Sequence, residues 1–126
     1  MVHVCRGYPI EGYAKADLDS YNRIAPALAE SKIDQVSIAG SHRPVDPSLI
    51  EALGEKTVNF GLVDIGDPEL ESVGNIELQI RRILEHIDHD RLIVAPDCGM
   101  VLLDPEVAGA KLTNMVEAAH RVREGM

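Results

Sequence analysis

The sequence predicts an α/β fold, with a parallel sheet and helices packed on it. Three observations carry this expectation. A short apolar run, a loop and a helical pattern recur four times along the chain. Glycine or proline closes each apolar run. Strands that alternate with helices need right-handed crossovers, and such crossovers build parallel sheets.

The first strand is Val2-His3-Val4-Cys5, β-branched and alternating, ended by Gly7 and Pro9. A helix follows over roughly Leu18 to Glu30, with Tyr21, Ile24, Ala25 and Leu28 on one face. Pro26 within it should kink the helix or start a second, shorter one. The second strand is Gln35 to Ala39, closed by Gly40. A short helix comes next, with Asp46 as cap, Pro47 in first position and Gly54 at its end. Thr57 to Ile65 is a nearly unbroken apolar run, the pattern of a strand covered on both faces. The third helix starts near Ser72 or Asn75, and Ile76, Ile80, Ile83, Leu84 and Ile87 make its stripe. The fourth strand is Arg91 to Ala95, stopped by Pro96. Asp104 and Pro105 open the last helix, whose expected buried face is Val107, Ala108, Leu112, Met115, Val116 and Ala119.

A complete (β/α)8 barrel takes roughly 250 residues. The 126 residues here suffice for four of its eight units. The expected architecture is therefore one domain over 1–126, half of a (β/α)8 TIM-type barrel with helices outside. A small open α/β sheet is the competing form. A half barrel has two open edges and one uncovered face, and unpaired edges invite association. Self-association, a separate chain supplying the other half, or these residues being a remnant or piece of a larger enzyme are the three expected answers.

Composition narrows the partners. Twenty-one acidic against 12 basic residues give a formal charge of −9, which disfavours a nucleic-acid backbone. No apolar run is long enough to cross a bilayer, and the N-terminal residues lack a signal-peptide layout. The expected compartment is the cytoplasm, where thiols stay reduced.

In parallel α/β folds the chemistry sits at the carboxyl ends of the strands. The four ends carry His3-Val4-Cys5-Arg6, Ala39-Gly40-Ser41-His42-Arg43, Asp64-Ile65-Gly66-Asp67 and Pro96-Asp97-Cys98-Gly99. His3 and Cys5, two apart on a strand, share a face. With Cys98 they form a soft, borderline donor set that suits zinc and leaves a fourth position open. A Cys–His nucleophile pair, a Cys5–Cys98 disulfide or plain buried thiols are the other readings. His42 and Arg43 either bind an anionic substrate group or lie on a solvated loop. Asp64 is either a hydrogen-bonded structural acid or a contact for a substrate amine. Asp97 is expected to orient a metal ligand. His86, His89 and His120, and the pair Arg81-Arg82, are expected at the surface.

The four strand ends together resemble the C-terminal part of cobalamin-independent methionine synthase, one of a wider group of zinc-dependent, thiol-activating (β/α)8 barrels. The resemblance rests on His3-Val4-Cys5, Val36-Ser37-Ile38, Val63-Asp64-Ile65 and above all Ala95-Pro96-Asp97-Cys98-Gly99. Leu112 to Ala119 is similar to the family's last helix. The likeness runs from residue 2 to about residue 122. It implies that His3, Cys5 and Cys98 bind zinc and that the zinc takes up homocysteine as its thiolate. That sulfur would attack the methyl group of methyltetrahydrofolate to give methionine. Ser37, Asp64 and Arg43 are the expected substrate contacts. Two positions depart from the family: a zinc-ligating glutamate is Ala39 here, and a proton-donating histidine is Gly66. His42 is the nearest substitute for the lost acid. The alternatives to this reaction are transfer to another small thiol and a non-catalytic truncated homologue.

Overall fold

The computed structural model describes residues 1–5, 7 and 19–126. Its strands are β1 (Val2–Val4), β2 (Gln35–Ile38), β3 (Thr57–Val63) and β4 (Leu92–Pro96). Its α-helices are α1 (Asp19–Glu30), α2 (Val73–Ile83) and α3 (Pro105–Glu124). Short 3₁₀ helices span Pro47–Leu53 and His89–Arg91. The strands lie in the order β1-β2-β3-β4 and every pair is parallel. All four carboxyl ends therefore meet at one rim, and β1 and β4 are edges. This is the four-unit α/β half barrel expected from the sequence.

Register sorts the side chains into rows. Val2, Val36, Val58 and Leu92 are aligned across the sheet, as are Val4, Ile38, Phe60 and Val94. Both rows join one apolar core with Tyr21, Ala25, Ile76, Ile80, Met115 and Val122 from the helices. Each fully buried aliphatic side chain in such a core contributes about 2 kcal/mol. Between these rows lies a third: His3, Ser37, Asn59 and Ile93. Alternation turns it to the opposite face. There His3 and Ile93 are exposed, and Ser37 and Asn59 are half-buried. Among the described residues, this face has no helix packed on it, and it carries the site.

The local signals work as chemistry requires. The Asp46 carboxylate accepts from the Ser48 backbone N–H, and Gly54 closes that segment at φ 61, a left-handed value that suits glycine. Ser72 caps α2 through the Asn75 N–H, and Asp104 caps α3 through the Glu106 N–H.

Several expectations need correction. α1 runs unbroken through Pro26, so no second helix starts there; the expected beginning at Leu18 and the strand stop at Pro9 lie outside the described residues. Ile24 is exposed, not part of the buried face. The segment after Asp46 is a 3₁₀ helix rather than an α-helix. Strands β1, β2 and β3 end before Cys5, Ala39 and Asp64, while Pro96 is the last residue of β4 instead of its stop. A proline is tolerated on an edge strand, where its missing N–H faces no neighbour. Ile87 is buried but lies past the end of α2. On α3 the buried residues are Lys111, Met115, Ala118 and Val122, whereas Leu112 and Val116 are exposed. The helix is rotated about one position from the apolar stripe because Lys111 points inward to an ion pair with Glu71. His86 is half-buried, its Nδ1 2.6 Å from Glu51 Oε1. His89, His120, Arg81 and Arg82 are exposed as expected.

Candidate metal centre

The centre is assembled by sheet register. β1 presents His3 on the bare face, Cys5 follows two residues later, and Cys98 comes from the turn after β4. One donor atom from each of the three lies within 4.8 Å of the others. His3 Nε2 is 2.9 Å from Cys98 Sγ. His3 Nδ1 is 2.8 Å from Ser37 Oγ, its register partner on β2. Ser37 thus engages the second ring nitrogen and leaves Nε2 for the cluster. Both cysteines are free thiols and half-buried. Burial foremost, and then the neighbouring Cys5 thiol, push the Cys98 thiol above its ordinary value. A tetrahedral zinc with ligands at about 2.3 Å spaces them by roughly 3.8 Å. The three donors lie within 4.8 Å of one another, but His3 Nε2 and Cys98 Sγ, at 2.9 Å, would have to part by about 1 Å to share such an ion; the donor chemistry fits. Ala39, where the resemblance implies a glutamate ligand, is buried and has no donor atom in its side chain.

Asp97, next to Cys98 in the chain, is 2% exposed. Its carboxylate accepts three backbone N–H groups from the loop after β2: Gly40 at 2.9 Å, Ser41 at 2.8 Å and His42 at 2.8 Å. Charged acceptors make strong bonds to such donors. The carboxylate therefore secures the loop that carries His42. Gly61 makes room for it, since a Cβ there would collide with the Asp97 carboxylate. At Gly40 a Cβ would run into the Phe60 ring.

The secured loop delivers His42 to the end of β3. His42 Nδ1 lies 2.8 Å from Asp64 Oδ2 and 3.0 Å from Oδ1. Asp64 Oδ1 also accepts the Gly66 N–H at 2.7 Å. His42 and Asp64, considered separately in the sequence, are thus one couple at the rim. Arg43 is exposed on the same loop.

Sequence reasoning located the three donors and His42. It missed the contact of Ser37 with His3, because a serine on a strand has no signature until register is known. It missed the Asp97 bonds, because backbone N–H partners leave no trace in a sequence. It missed Glu71 and Lys111 as well. A lysine four residues before Met115 and seven before Ala118, on an apolar face, was the available signal.

Fold and cluster together define a class: half of a (β/α)8 barrel with a thiol- and imidazole-rich centre at the carboxyl rim of its sheet. Residues 17–121 match the family model described as cobalamin-independent synthase, catalytic domain, and the chain belongs to that family. It is 35% identical over 106 residues to a methionine synthase of Pyrococcus horikoshii, covering 83% of this chain and 31% of that one. It is 31% identical over 128 residues to a methionine synthase of Saccharolobus islandicus, covering 98% of this chain and 34% of that one. Among solved structures, a B12-independent methionine synthase from a Shewanella species in complex with selenomethionine superposes with a TM-score of 0.82 at 28% identity. That match covers 98% of this chain and 38% of the other. The chain thus spans about a third of the length of the curated relatives it matches.

Proposed function

We propose that this chain is the metal-binding half of a methyltransferase of the cobalamin-independent methionine synthase type. It works once four further βα units close the barrel. The observation that carries the reading is the convergence of His3, Cys5 and Cys98 within 4.8 Å on a chain of this family. The proposed ion is zinc, held by His3 Nε2 and the two sulfurs. When bound, it supplies the Lewis acidity that keeps a substrate thiol ionised at neutral pH. The proposed thiol is homocysteine and the proposed methyl donor is methyltetrahydrofolate, in the cytoplasm.

The chain's own residues have distinct tasks in this reading. Ser37 fixes the His3 ring through Nδ1. Arg43 meets a substrate carboxylate. Asp64, engaged by His42, serves the substrate through that imidazole. His42 exchanges the proton through Nε2, in place of the histidine that Gly66 replaces. Asp97 keeps His42 and Cys98 at fixed separation by bonding the loop of one beside the other.

A second reading is favoured by Ala39 and Gly66: a related zinc-dependent thiol alkyltransferase acting on another small thiol. Metal analysis and solution mass on one sample, followed by methyl-transfer assays over a thiol panel, test both. The methionine synthase reading expects one zinc per chain, an assembly larger than the monomer, and turnover with homocysteine. Turnover with a different thiol alone supports the second reading. A chain that holds no metal and takes none up on titration overturns both and leaves a non-catalytic homologue.

A further inference from the structure

Lys111 on α3 has a fully buried side chain, at 0% exposure. An ammonium withdrawn from water is tolerated only when paired, and here Nζ donates to Glu71 Oε2 at 2.9 Å. Glu71 lies in the loop between β3 and α2. Its other oxygen, Oε1, accepts the backbone N–H of Asp64 at 2.8 Å. Asn114, three residues along α3, donates from Nδ2 to the Glu71 carbonyl at 2.8 Å. Helix α3 therefore grips Glu71 by side chain and backbone, and Glu71 passes that hold to Asp64. Asp64 in turn meets His42 Nδ1, while Asp97 secures the His42 backbone from β4.

An ion pair that only tied α3 to the loop would need no more than one carboxylate oxygen. Here the second oxygen is aimed at the backbone of the residue that partners the rim imidazole. We propose that Lys111 and Glu71 are positioning residues that hold Asp64 against His42, so that neutral His42 carries its proton on Nδ1 and keeps Nε2 as the acceptor. A proton carrier needs such a fixed tautomer, because only the unprotonated nitrogen can take up a proton. The use of that tautomer in catalysis rests on the reading of His42 given above; the tautomer itself does not.

The test is histidine nitrogen NMR on the full 126-residue chain, labelled at histidine and measured at alkaline pH where imidazoles are neutral. In the unaltered protein His42 is expected in the Nδ1–H form. Lys111→Met removes the ammonium at similar length, and Glu71→Gln offers one acceptor oxygen to two donors. Both are expected to lose that preference, with Nε2–H becoming the major form. Arg81→Met, which breaks an exposed pair with Glu77, is expected to leave His42 unchanged. If Lys111→Met does not fold, Asn114→Ala removes only one of the holds on Glu71 and should move the tautomer in the same direction. An Nε2–H form in the unaltered protein overturns the proposal. So does an unchanged tautomer in folded Lys111→Met, or in Asn114→Ala where the former cannot be measured. The experiment needs neither metal nor substrate, so a failure of methyl transfer leaves it standing, and its own failure leaves the metal centre untouched.

Discussion

Ser37 Oγ lies 2.8 Å from His3 Nδ1, one strand away and in direct register. A histidine that binds metal through Nε2 must hold its other proton on Nδ1, and a fixed acceptor there keeps the ring turned correctly. Ser37→Ala removes that acceptor without touching a donor atom. We expect zinc affinity to fall by about 10- to 100-fold with the fold retained. Competition against a chromophoric chelator measures it, and an unchanged affinity would show that Ser37 is a bystander.

Cys98→Ser is the sharper lesion, because a hydroxyl is a far poorer zinc ligand than a thiolate. Bound zinc should drop from one per chain to near none after dialysis, by elemental analysis. Retention of full stoichiometry would mean that the ion sits elsewhere.

The loop after β2 depends on Asp97. Asp97→Asn leaves one carbonyl oxygen for three backbone N–H donors and turns an amide toward one of them. Loss of such charge-assisted bonds in a buried place costs about 3 kcal/mol. Gly61→Ala should fail in the same direction, since its Cβ would displace the same carboxylate. Urea denaturation is the measurement, and a midpoint within error of the unaltered protein would refute the role given to Asp97.

Stability should depend on pH at both extremes. The Ser48 backbone N–H, foremost, holds the Asp46 carboxyl below the ordinary aspartate value. Its contribution is present above the unfolded value and is lost as pH falls through the lower folded one. Asp46→Asn should flatten that acid limb. Cys98 in the metal-free chain behaves in the opposite sense, being raised by burial and by Cys5. Its contribution holds below the ordinary thiol value and disappears as pH rises through the folded one. Alkylation of metal-free Cys98 should therefore need higher pH than a free thiol. Rapid labelling at neutral pH would contradict this.

Ile93 is 43% exposed on the face that bears His3. If four further strands cover that face, Ile93→Lys buries a charge in the barrel interior. The variant should keep its helical content yet lose association, as read by light scattering. Unaltered assembly in Ile93→Lys would locate the contact away from this face.

How far the sequence revealed this arrangement follows from what each signal depends on. Parallel βα units bring all carboxyl ends to one rim, so the meeting of His3, Cys5 and Cys98 was legible across a span of more than ninety residues. Caps at Asp46 and Asp104 were legible because their chemistry is local, whereas the start of α2 stayed open between Ser72 and Asn75 until the Ser72 bond to the Asn75 N–H was seen. The inward face of α3 was misjudged at Leu112 and Val116, since Lys111 takes a core position through a partner 40 residues away. The His42–Asp64 couple was not foreseen, because it depends on a loop held by Asp97 through main-chain bonds.

The alternation of β1 has a last consequence. A slip of one residue against β2 would bring Val2 or Val4 to the place of His3 and turn the imidazole into the oily layer beneath. Packing and ligation would fail in the same molecule, so a wrongly threaded copy would have neither a sound interior nor affinity for the ion. Metal uptake would then serve as a proofreader of folding, since whatever stabilises only the correctly aligned chain draws the population toward it.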